Sequence, residues 1–471
     1  MSTILSSFSN LAMIFIVILF FNLMIFVHEL GHFWAGRWRG AYIDRFQIWF
    51  GKPIWKKTIN GVEWGLGWIP AGGFVSLPQL GDMEAIEGAV DPEVAKTLKP
   101  LKPLDKIIIA AAGPIFSFLL ACFFALIVWM VGTKDVTLPS TIGYVMPDSP
   151  AAAAGLQAGD KITAIDGQKV DRWAGNMEGV SELIAMSEHE QITFDVERNG
   201  ESLTLTSTFE LPETDWWQRS GMRSVGIAPA AGSEVGSVNA GSPADKAGLQ
   251  AGDIILSVNG EKIYSPIAVV KMTEDKQPLQ LSLSRKGEMV ETSLTPLIPS
   301  NWVGKEGARA VMGFTWSSNN SYITTIYPTP WEQISNSFKW MGDTIAKVSS
   351  PTSSVGMQHM SGPVGIGNAL FNMLGSEGGW QMVLWFAVII NVNLAVLNML
   401  PLPVVDGGHV VLGTIEAIVG RPVGGAILGW IQIAFIAFLL SFFVYVTSKD
   451  IGDLMGSSKE KVEQLPPPVF E

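Results

Sequence analysis

Four long apolar stretches divide the chain and alternate with segments of mixed polarity. A helix of about 20 apolar residues is long enough to cross the hydrocarbon core of a bilayer, and each stretch reaches that length. We therefore predict membrane-spanning helices at residues 11–35, 107–131, 380–400 and 423–446. A polar tail follows the last of them, at residues 449–471.

The segment between the second and third spans contains an internal repeat. SPAAAAGLQAGDKITAIDGQKV, which begins at Ser149, matches SPADKAGLQAGDIILSVNGEKI, which begins at Ser242. Each copy has a helix of small residues, a Gly-Asp turn, an alternating apolar strand and an Asp-Gly or Asn-Gly turn. The pattern predicts two small α+β domains in tandem.

Two shorter segments have less regular patterns. Residues 61–77 are apolar and aromatic but interrupted by Gly and Pro, which favours a strand pair or re-entrant loop over a spanning helix; an ordinary cytoplasmic loop is the alternative. Residues 331–348 place apolar side chains on one face of an amphipathic helix, which would lie at the membrane interface or pack on the repeat or another span. The predicted domains are an N-terminal membrane core at 1–132, the two copies at 133–213 and 222–298, a connector at 299–374, a C-terminal membrane core at 375–448 and the tail.

Charge orients the spans and limits the partners. Positive side chains follow the first span and none precedes it, so its C-terminal end is predicted to be cytoplasmic, with both termini and the repeat outside. A net charge of −12 without a long basic run argues against nucleic acid. Cys122 is the only cysteine, which excludes an intrachain disulfide and a thiolate metal cluster.

The first span contains the HExxH pattern, at residues 28–32. His28 and His32 lie one helical turn apart on the same face, so both imidazoles can bind one metal ion, and Glu29 can reach a metal-bound water. Three ionisable side chains in an apolar span are costly unless they pair or bind a metal. The pattern predicts the first ligands of a zinc hydrolase.

Asp406 is the best candidate for the third ligand that such a site needs. With alternating spans, the third span also ends on the cytoplasmic side, at the level of His28 and His32. Pro401 and Pro403 end the helix, and the glycines after Asp406 are expected to allow a tight turn that aims its carboxylate at the metal. His409 is the rival ligand, and a routine loop aspartate is the alternative.

These motifs together resemble the site-2 protease family of intramembrane zinc metalloproteases, and in particular its bacterial branch with four spans and two PDZ domains. The resemblance rests on HExxH, on Ala112-Gly113-Pro114 at the start of the second span, and on Asn398-x-x-Pro401-x-Pro403-x-x-Asp406-Gly407. The repeat resembles PDZ domains through SPAxxAGLxxGDxIxxx[DN]G. The implied fold is a polytopic α-helical membrane protein with four transmembrane helices, a membrane-associated β-hairpin and two inserted extracytoplasmic PDZ domains.

The resemblance also implies roles for individual residues. His28, His32 and Asp406 would bind Zn²⁺, Glu29 would act as general base, and Asn398 would hold the substrate or polarise its scissile carbonyl. The hairpin would hold a substrate strand through Gly72, Gly73 and Phe74. Ser224, Val225, Gly226 and Ile227 look like the carboxylate-binding loop of the second PDZ copy. Ser117 stands where the family commonly has Asn, which puts any polar role at that position in doubt.

The implied activity is regulated intramembrane proteolysis in the bacterial cytoplasmic (inner) membrane. Substrates would be single-pass membrane proteins, such as trimmed anti-sigma-factor-like proteins or remnant signal peptides. The periplasmic PDZ domains would bind peptide C-termini or exclude large substrates, and the lipid bilayer is the remaining partner. The alternatives are a non-catalytic PDZ adaptor with a structural zinc site, which would not need Glu29, and a metal transporter, which would need more ionisable residues inside its spans.

Overall fold

The structure is a computed structural model that describes residues 2–80, 94, 97–175, 177–317, 322–421, 425–459 and 465–470. The acidic segment at residues 82–93, which the sequence predicts to be a linker, lies outside them. The chain divides into two compact units. The membrane unit comprises Met1–Lys134, Thr325–Gly342 and Ser361–Thr447, and the repeat unit comprises Asp135–Thr324, Asp343–Met360 and Ser448–Glu471.

The α-helices and strands are numbered in chain order. The helices are α1 Ser2–Arg39, α2 Pro103–Val131, α3 Pro150–Ala153, α4 Val180–Met186, α5 Pro243–Lys246, α6 Pro266–Met272, α7 Pro330–Ser349, α8 Pro363–Leu374, α9 Gly379–Asn398, α10 Asp406–Val419 and α11 Gly425–Lys459. The strands are β1 Arg45–Phe50, β2 Trp55–Ile59, β3 Val62–Leu66, β4 Ile69–Val75, β5 Thr133–Val136, β6 Ile142–Val145, β7 Lys161–Ile165, β8 Gln168–Lys169, β9 Ile192–Arg198, β10 Glu201–Ser207, β11 Ile227–Pro229, β12 Val235–Val238, β13 Ile254–Val258, β14 Glu261–Lys262, β15 Leu279–Arg285, β16 Glu288–Leu294, β17 Phe314–Trp316 and β18 Ile323–Ile326.

Within the described residues, four helices are long and apolar enough to cross a membrane, and they coincide with the four predicted spans: α1 from Asn10, α2, α9, and Gly429–Gly456 of α11. The last helix continues beyond the predicted end of the fourth span to Lys459, so it includes the first part of the polar tail. This polar extension is stabilised because Arg219 pairs with Asp450 at 2.5 Å and also with Asp453. Sequence periodicity could not reveal a partner more than 200 positions away.

The membrane unit contains a four-stranded sheet rather than the predicted hairpin. Its order is β2-β3-β1-β4, so β1 separates the two strands that were expected to pair. β1 runs parallel to β3 and antiparallel to β4, and it inserts between them because its Phe46 is buried and stacks on Trp64 of β3. The hairpin turn lies earlier, between β2 and β3 at Asn60-Gly61, where both residues have positive φ. Strand β4 consequently lies at the edge of the sheet.

Helix α2 is the scaffold of the membrane unit, since α1, α9 and α10 all pack against it. The amphipathic helix predicted at 331–348 is α7, and it also packs on α2. Gln333 is buried and donates to the carbonyl of Ala125 at 3.0 Å, Ser337 is buried beside it, and Ile334 packs against the apolar cluster that contains Ala125. Phe338, on the apolar face, remains partly exposed, and its ring lies 6.4 Å from that of Phe118 in α2. Packing on another span is therefore the alternative that the structure favours.

The repeat unit contains two copies with the same order of elements. Each has a four-stranded sheet, β10-β9-β7-β8 or β14-β13-β15-β16, and a two-stranded ribbon, β6-β11 or β12-β17. The aspartate of the repeated Gly-Asp turn is buried in both. Asp160 pairs with Arg198 at 2.6 Å, and Asp253 pairs with Arg285 at 2.8 Å, so one ion pair ties the turn to the sheet in each copy.

The loop at residues 224–227 belongs to the first copy, which corrects its prediction as part of the second. β11, which starts at Ile227, pairs with β6, and Val225 lies in the apolar core of the first copy. In the second copy the equivalent loop is Val311–Phe314: Gly313 has positive φ and lies against Ser242, as Gly226 lies against Ser149. The last strand of each copy follows a long connection, and the repeated motif alone did not reveal it.

Candidate metal centre

Helix α1 presents His28, Glu29 and His32 to one side of the membrane unit. Residues 11–27 are apolar apart from Asn22, and inside a bilayer such a segment must satisfy its backbone groups internally, as a helix does. The two imidazoles lie one turn apart with ring centroids at 4.9 Å. Both histidines are buried. These two imidazoles can supply two of the four ligands of a tetrahedral metal site.

Asp406 is the first residue of α10. The chain leaves α9 at Asn398, turns through the two prolines, and starts α10 with Asp406 facing the histidines. Gly407 and Gly408 serve close packing rather than the expected tight turn: a Cβ on either would lie 2.1–2.2 Å from the carbonyl oxygen of Leu400 or Leu402. The glycines thus let the first turn of α10 pack on the preceding backbone.

The donor atoms of the three side chains form a compact group, the metal triangle, in which each histidine lies beside a different carboxylate oxygen of Asp406. His28 Nε2 lies 3.2 Å from Asp406 Oδ2, His32 Nε2 lies 3.3 Å from Asp406 Oδ1, and the two Nε2 atoms are 3.3 Å apart. Ligands about 2.05 Å from a tetrahedral zinc ion are separated by about 3.3 Å, so the triangle fits that ion and leaves a fourth position open. Among the described residues, these three form the single cluster of His, Cys, Asp and Glu that could hold a metal.

The charge state of Asp406 suits a metal ligand. Burial alone would raise the pKa of its carboxyl group, but the attraction of His32 and His28 lowers that pKa below its usual range. The carboxylate is therefore ionised at neutral pH. Its Oδ2 atom is buried without a hydrogen bond of good geometry, which is costly unless a cation is bound there.

Hydrogen bonds at the outer nitrogens orient both imidazoles. His32 Nδ1 donates to the carbonyl of Ile109 at 2.8 Å, and His28 Nδ1 lies 3.0 Å from the hydroxyl of Ser117, which is fully buried. Both acceptors are on α2. When Nδ1 carries the proton, Nε2 keeps its lone pair for the metal. The structure thus gives Ser117 a polar contact, although the departure from the family pattern had put a polar role there in doubt.

Two glycines let α1 and α2 approach closely at this point. A Cβ on Gly31 would lie 2.4 Å from the carbonyl oxygen of Ala112, and a Cβ on Gly113 would lie 2.1 Å from His32 Nε2. Only glycine fits at either position. The Ala-Gly-Pro motif of the second span therefore makes room for an imidazole of the site.

The metal triangle opens into a cavity of about 340 Å³. Glu29 lines this cavity, and the backbone N–H of Val75 in β4 donates to its carboxylate. The cavity brings together all the predicted site residues of the membrane unit: His28, Glu29, His32, Gly72, Gly73, Phe74, Asn398 and Asp406. Sequence reasoning missed Val75, Ser117, Ile109 and the role of Gly113; HExxH gave no signal for them because they lie on other elements.

Residues 224–227 lie in the repeat unit and are not part of this cavity. His409, the rival ligand, lines the cavity one turn after Asp406 but is not a member of the metal-binding cluster. Burial lowers its pKa, so it is neutral at pH 7. Asp406 is thus the better placed of the two.

Replacing Ser117 with Ala is expected to lower zinc affinity by roughly 10- to 100-fold, because the imidazole of His28 loses the hydrogen bond that orients it. The measurement is zinc retention by the purified protein during titration with a chelator. Ser441→Ala removes a hydroxyl that contacts only the backbone of its own helix, and it should change nothing. Equal zinc affinity of the two variants would contradict this role for Ser117.

Among the described residues, four helices able to cross a membrane and a metal-ligand triangle beside the carboxylate of Glu29 define a membrane-spanning metallohydrolase. Peptidase family M50 matches residues 14–442, and the chain belongs to this family. The regulator of sigma-E protease RseP of Salmonella typhimurium is 31% identical over 419 residues, covering 85% of this chain and 90% of the relative. The protease RseP of Yersinia pestis is 32% identical over 429 residues, with the same coverage.

One solved structure matches a part of the chain. The PDZ domain of the SdrC-like protein of Listeria monocytogenes covers 17% of this chain and 83% of its own chain, at 16% identity and a TM-score of 0.15. That score is too low to support a conclusion. The chain is a zinc metalloprotease by its family, and the competing interpretations as an adaptor or a transporter are set aside.

Proposed function

We propose that the protein cuts single-pass transmembrane segments of other proteins within or near the bilayer. The observation that carries the proposal is the cavity in which the metal triangle, Glu29 and the free edge of strand β4 meet. The Salmonella typhimurium relative, named a regulator of sigma-E protease, favours regulated intramembrane proteolysis, with anti-sigma-factor-like proteins or remnant signal peptides as substrates.

Zinc is the metal that two imidazoles and one carboxylate with an open fourth position favour. Held by His28, His32 and Asp406, it would acidify a bound water and polarise the scissile carbonyl. Glu29 takes the proton of the attacking water and returns it to the leaving amine. The N–H of Val75 holds the Glu29 carboxylate in place for both transfers.

The substrate binds as an extended strand on the free edge of β4. A helix hides its carbonyls in hydrogen bonds, so a transmembrane segment must unwind before it is cut. Ser76 N–H bonds to β1 at Arg45, and alternation along the strand therefore turns the N–H groups of Gly73 and Val75 away from β1. Gly73 can pair with a substrate strand beside Glu29, as in β-strand addition.

Asn398 and Phe74 position the substrate from opposite walls. Asn398 ends α9 and lines the cavity, so its amide can donate to a substrate carbonyl. Phe74 stacks on Phe50 at 6.4 Å, and Gly72 leaves room for the Phe50 ring, which would lie 2.1 Å from a Cβ at that position. This aromatic pair forms an apolar wall for the side chains of the substrate.

The two copies of the repeat unit act as PDZ domains outside the bacterial inner membrane. The loop at residues 224–227 and the loop Val311–Phe314 would receive extended peptides, including free C-termini, or the copies would exclude substrates with large external domains. The tail from Pro466 contacts the second copy, so it lies on the same side of the membrane as the repeat. Both termini are then extracytoplasmic, with four spans between them.

The test uses backbone methylation of a transmembrane peptide substrate that contains helix-breaking residues. Single N-methyl groups are placed at successive positions around the scissile bond, and cleavage by the purified protein is measured in detergent. If the substrate adds to β4 as a strand, only every second N–H of the peptide faces the enzyme. The loss of cleavage caused by an N-methyl group should therefore alternate along the peptide. We expect cleavage to fall at least about 10-fold at alternate positions.

The neighbouring positions are the matched controls, since they carry the same methyl group on a N–H that faces away. Uniform sensitivity along the peptide would overturn strand addition on β4. No cleavage of any unmethylated transmembrane substrate would overturn the proposed substrate class.

A further inference from the structure

The tail segment Pro466–Phe470 is docked on the second copy of the repeat unit. Five hydrogen bonds join it to the turn Ser300–Trp302. The amide and hydroxyl of Ser300 both donate to the carbonyl of Val469, at 3.0 and 3.1 Å. Ser300 thus makes two of the five hydrogen bonds to the tail segment.

Asn301 and Trp302 also make hydrogen bonds to the tail segment. Asn301 Nδ2 donates to the carbonyl of Pro467 at 2.8 Å, and its Oδ1 accepts from the N–H of Val469 at 3.0 Å. The indole of Trp302 donates to the carbonyl of Pro466 at 2.7 Å, and only 8% of Trp302 is exposed. The buried Trp302 thus donates a hydrogen bond to a proline carbonyl. A proline-rich peptide loses little conformational entropy when it is held in this way.

Proline favours this mode of binding for a physical reason. Consecutive prolines, as at residues 466–468, have fixed φ and no N–H, so their carbonyls remain available and the extended conformation is largely preformed. Proline-rich peptides are commonly recognised by aromatic side chains that donate to those carbonyls. The turn Ser300–Trp302 has this chemistry.

Phe470 lies beside the loop that the second copy would use for peptide binding. A Cβ on Gly313, within the loop Val311–Phe314, would lie 3.0 Å from the tip of the Phe470 ring. A Cβ on Gly241 would lie 3.2 Å from the carbonyl oxygen of Phe470. Both glycines have positive φ, and Phe470 lies against each of them.

We propose that Ser300–Trp302, Gly241 and Gly313 form a binding site for proline-rich peptides that carry an aromatic residue after the prolines. The segment Pro466–Phe470 is its tethered ligand, and an external peptide of the same kind competes with it. Tethering gives the segment a high effective concentration, in the millimolar range for a short linker. The site is therefore normally filled, and it becomes available when the tail is released.

The test measures binding of a fluorescent peptide that copies residues 465–471, by anisotropy, to the purified full chain and to a variant that lacks those residues. The peptide should bind the truncated protein at least about 10-fold more tightly, because no tethered competitor remains. Asn301→Ala in the truncated protein should reduce binding by about 10-fold, since two hydrogen bonds are lost. Gln168→Ala, on an exposed strand of the first copy, is the matched control and should leave binding unchanged.

A second variant distinguishes release of the tail from misfolding of the truncated protein. Pro466→Gly with Pro467→Gly in the full chain makes the tail more costly to order, so the peptide should bind this variant more tightly than the unaltered chain. Equal binding to all three proteins, or equal binding of a scrambled peptide, would overturn the proposal. No proteolysis is measured, so the outcome is independent of the proposed substrate and cleavage.

Discussion

Replacing Glu29 with Gln is expected to abolish cleavage while zinc content stays unchanged. Glutamine keeps the size of the side chain but cannot accept the proton of the attacking water. General-base catalysis contributes about 10²- to 10⁴-fold, so cleavage should fall by at least that factor. The metal should remain because Glu29 is not part of the triangle formed by His28, His32 and Asp406.

The measurement compares cleavage of a transmembrane substrate with zinc content by elemental analysis, on the same purified samples. Glu63→Gln is the matched control, since Glu63 lies in the same membrane unit and pairs with Arg45 and Lys56 rather than with the site. Full activity of Glu29→Gln would remove the general base from the mechanism. Loss of zinc in that variant would instead make Glu29 a part of the metal site.

Replacing Asp406 with Asn is expected to remove both zinc and activity. Asparagine is similar in size but neutral, so two neutral imidazoles would have to hold a divalent cation without a counter-charge. The loss of zinc affinity should exceed the roughly 10- to 100-fold that follows from losing an outer hydrogen bond, as at Ser117. The chelator titration used for Ser117→Ala measures both variants on one scale.

His409→Gln tests the rival ligand in the same titration. His409 lies one turn from Asp406, outside the triangle, so its replacement should leave zinc in place. If His409→Gln loses zinc and Asp406→Asn keeps it, the third ligand has been assigned to the wrong residue. Parallel loss in both variants would show that His409 contributes to the metal site as well.

The local motifs of the membrane unit were predictable because their chemistry depends on short sequence spacing. Residues 28–32 place two histidines on one helical face whatever surrounds the helix. The four spans were predictable because length and hydropathy alone decide whether a helix can cross a bilayer. Asp406 could be placed by topology, since successive spans alternate in direction.

The errors arose where distant segments meet. β1 inserts between β3 and β4 because Phe46 stacks on Trp64, and no local sequence pattern predicts that contact. The loop at residues 224–227 was assigned to the wrong copy because its strand returns to β6 across some 80 residues of chain. Packing against a partner far along the chain decided both cases.

By itself, the sequence determined the four apolar helices, the tandem repeat and the three side chains proposed to bind the metal, because each follows from local periodicity or from residue types that are costly to bury without a ligand. The tertiary structure decided which atoms complete the site: Ser117 and Ile109 behind the imidazoles, Gly113 beside His32, and Val75 at Glu29. It also decided that the tail binds Trp302. These contacts depend on the close approach of segments far apart in the chain, and only the packed fold sets those distances.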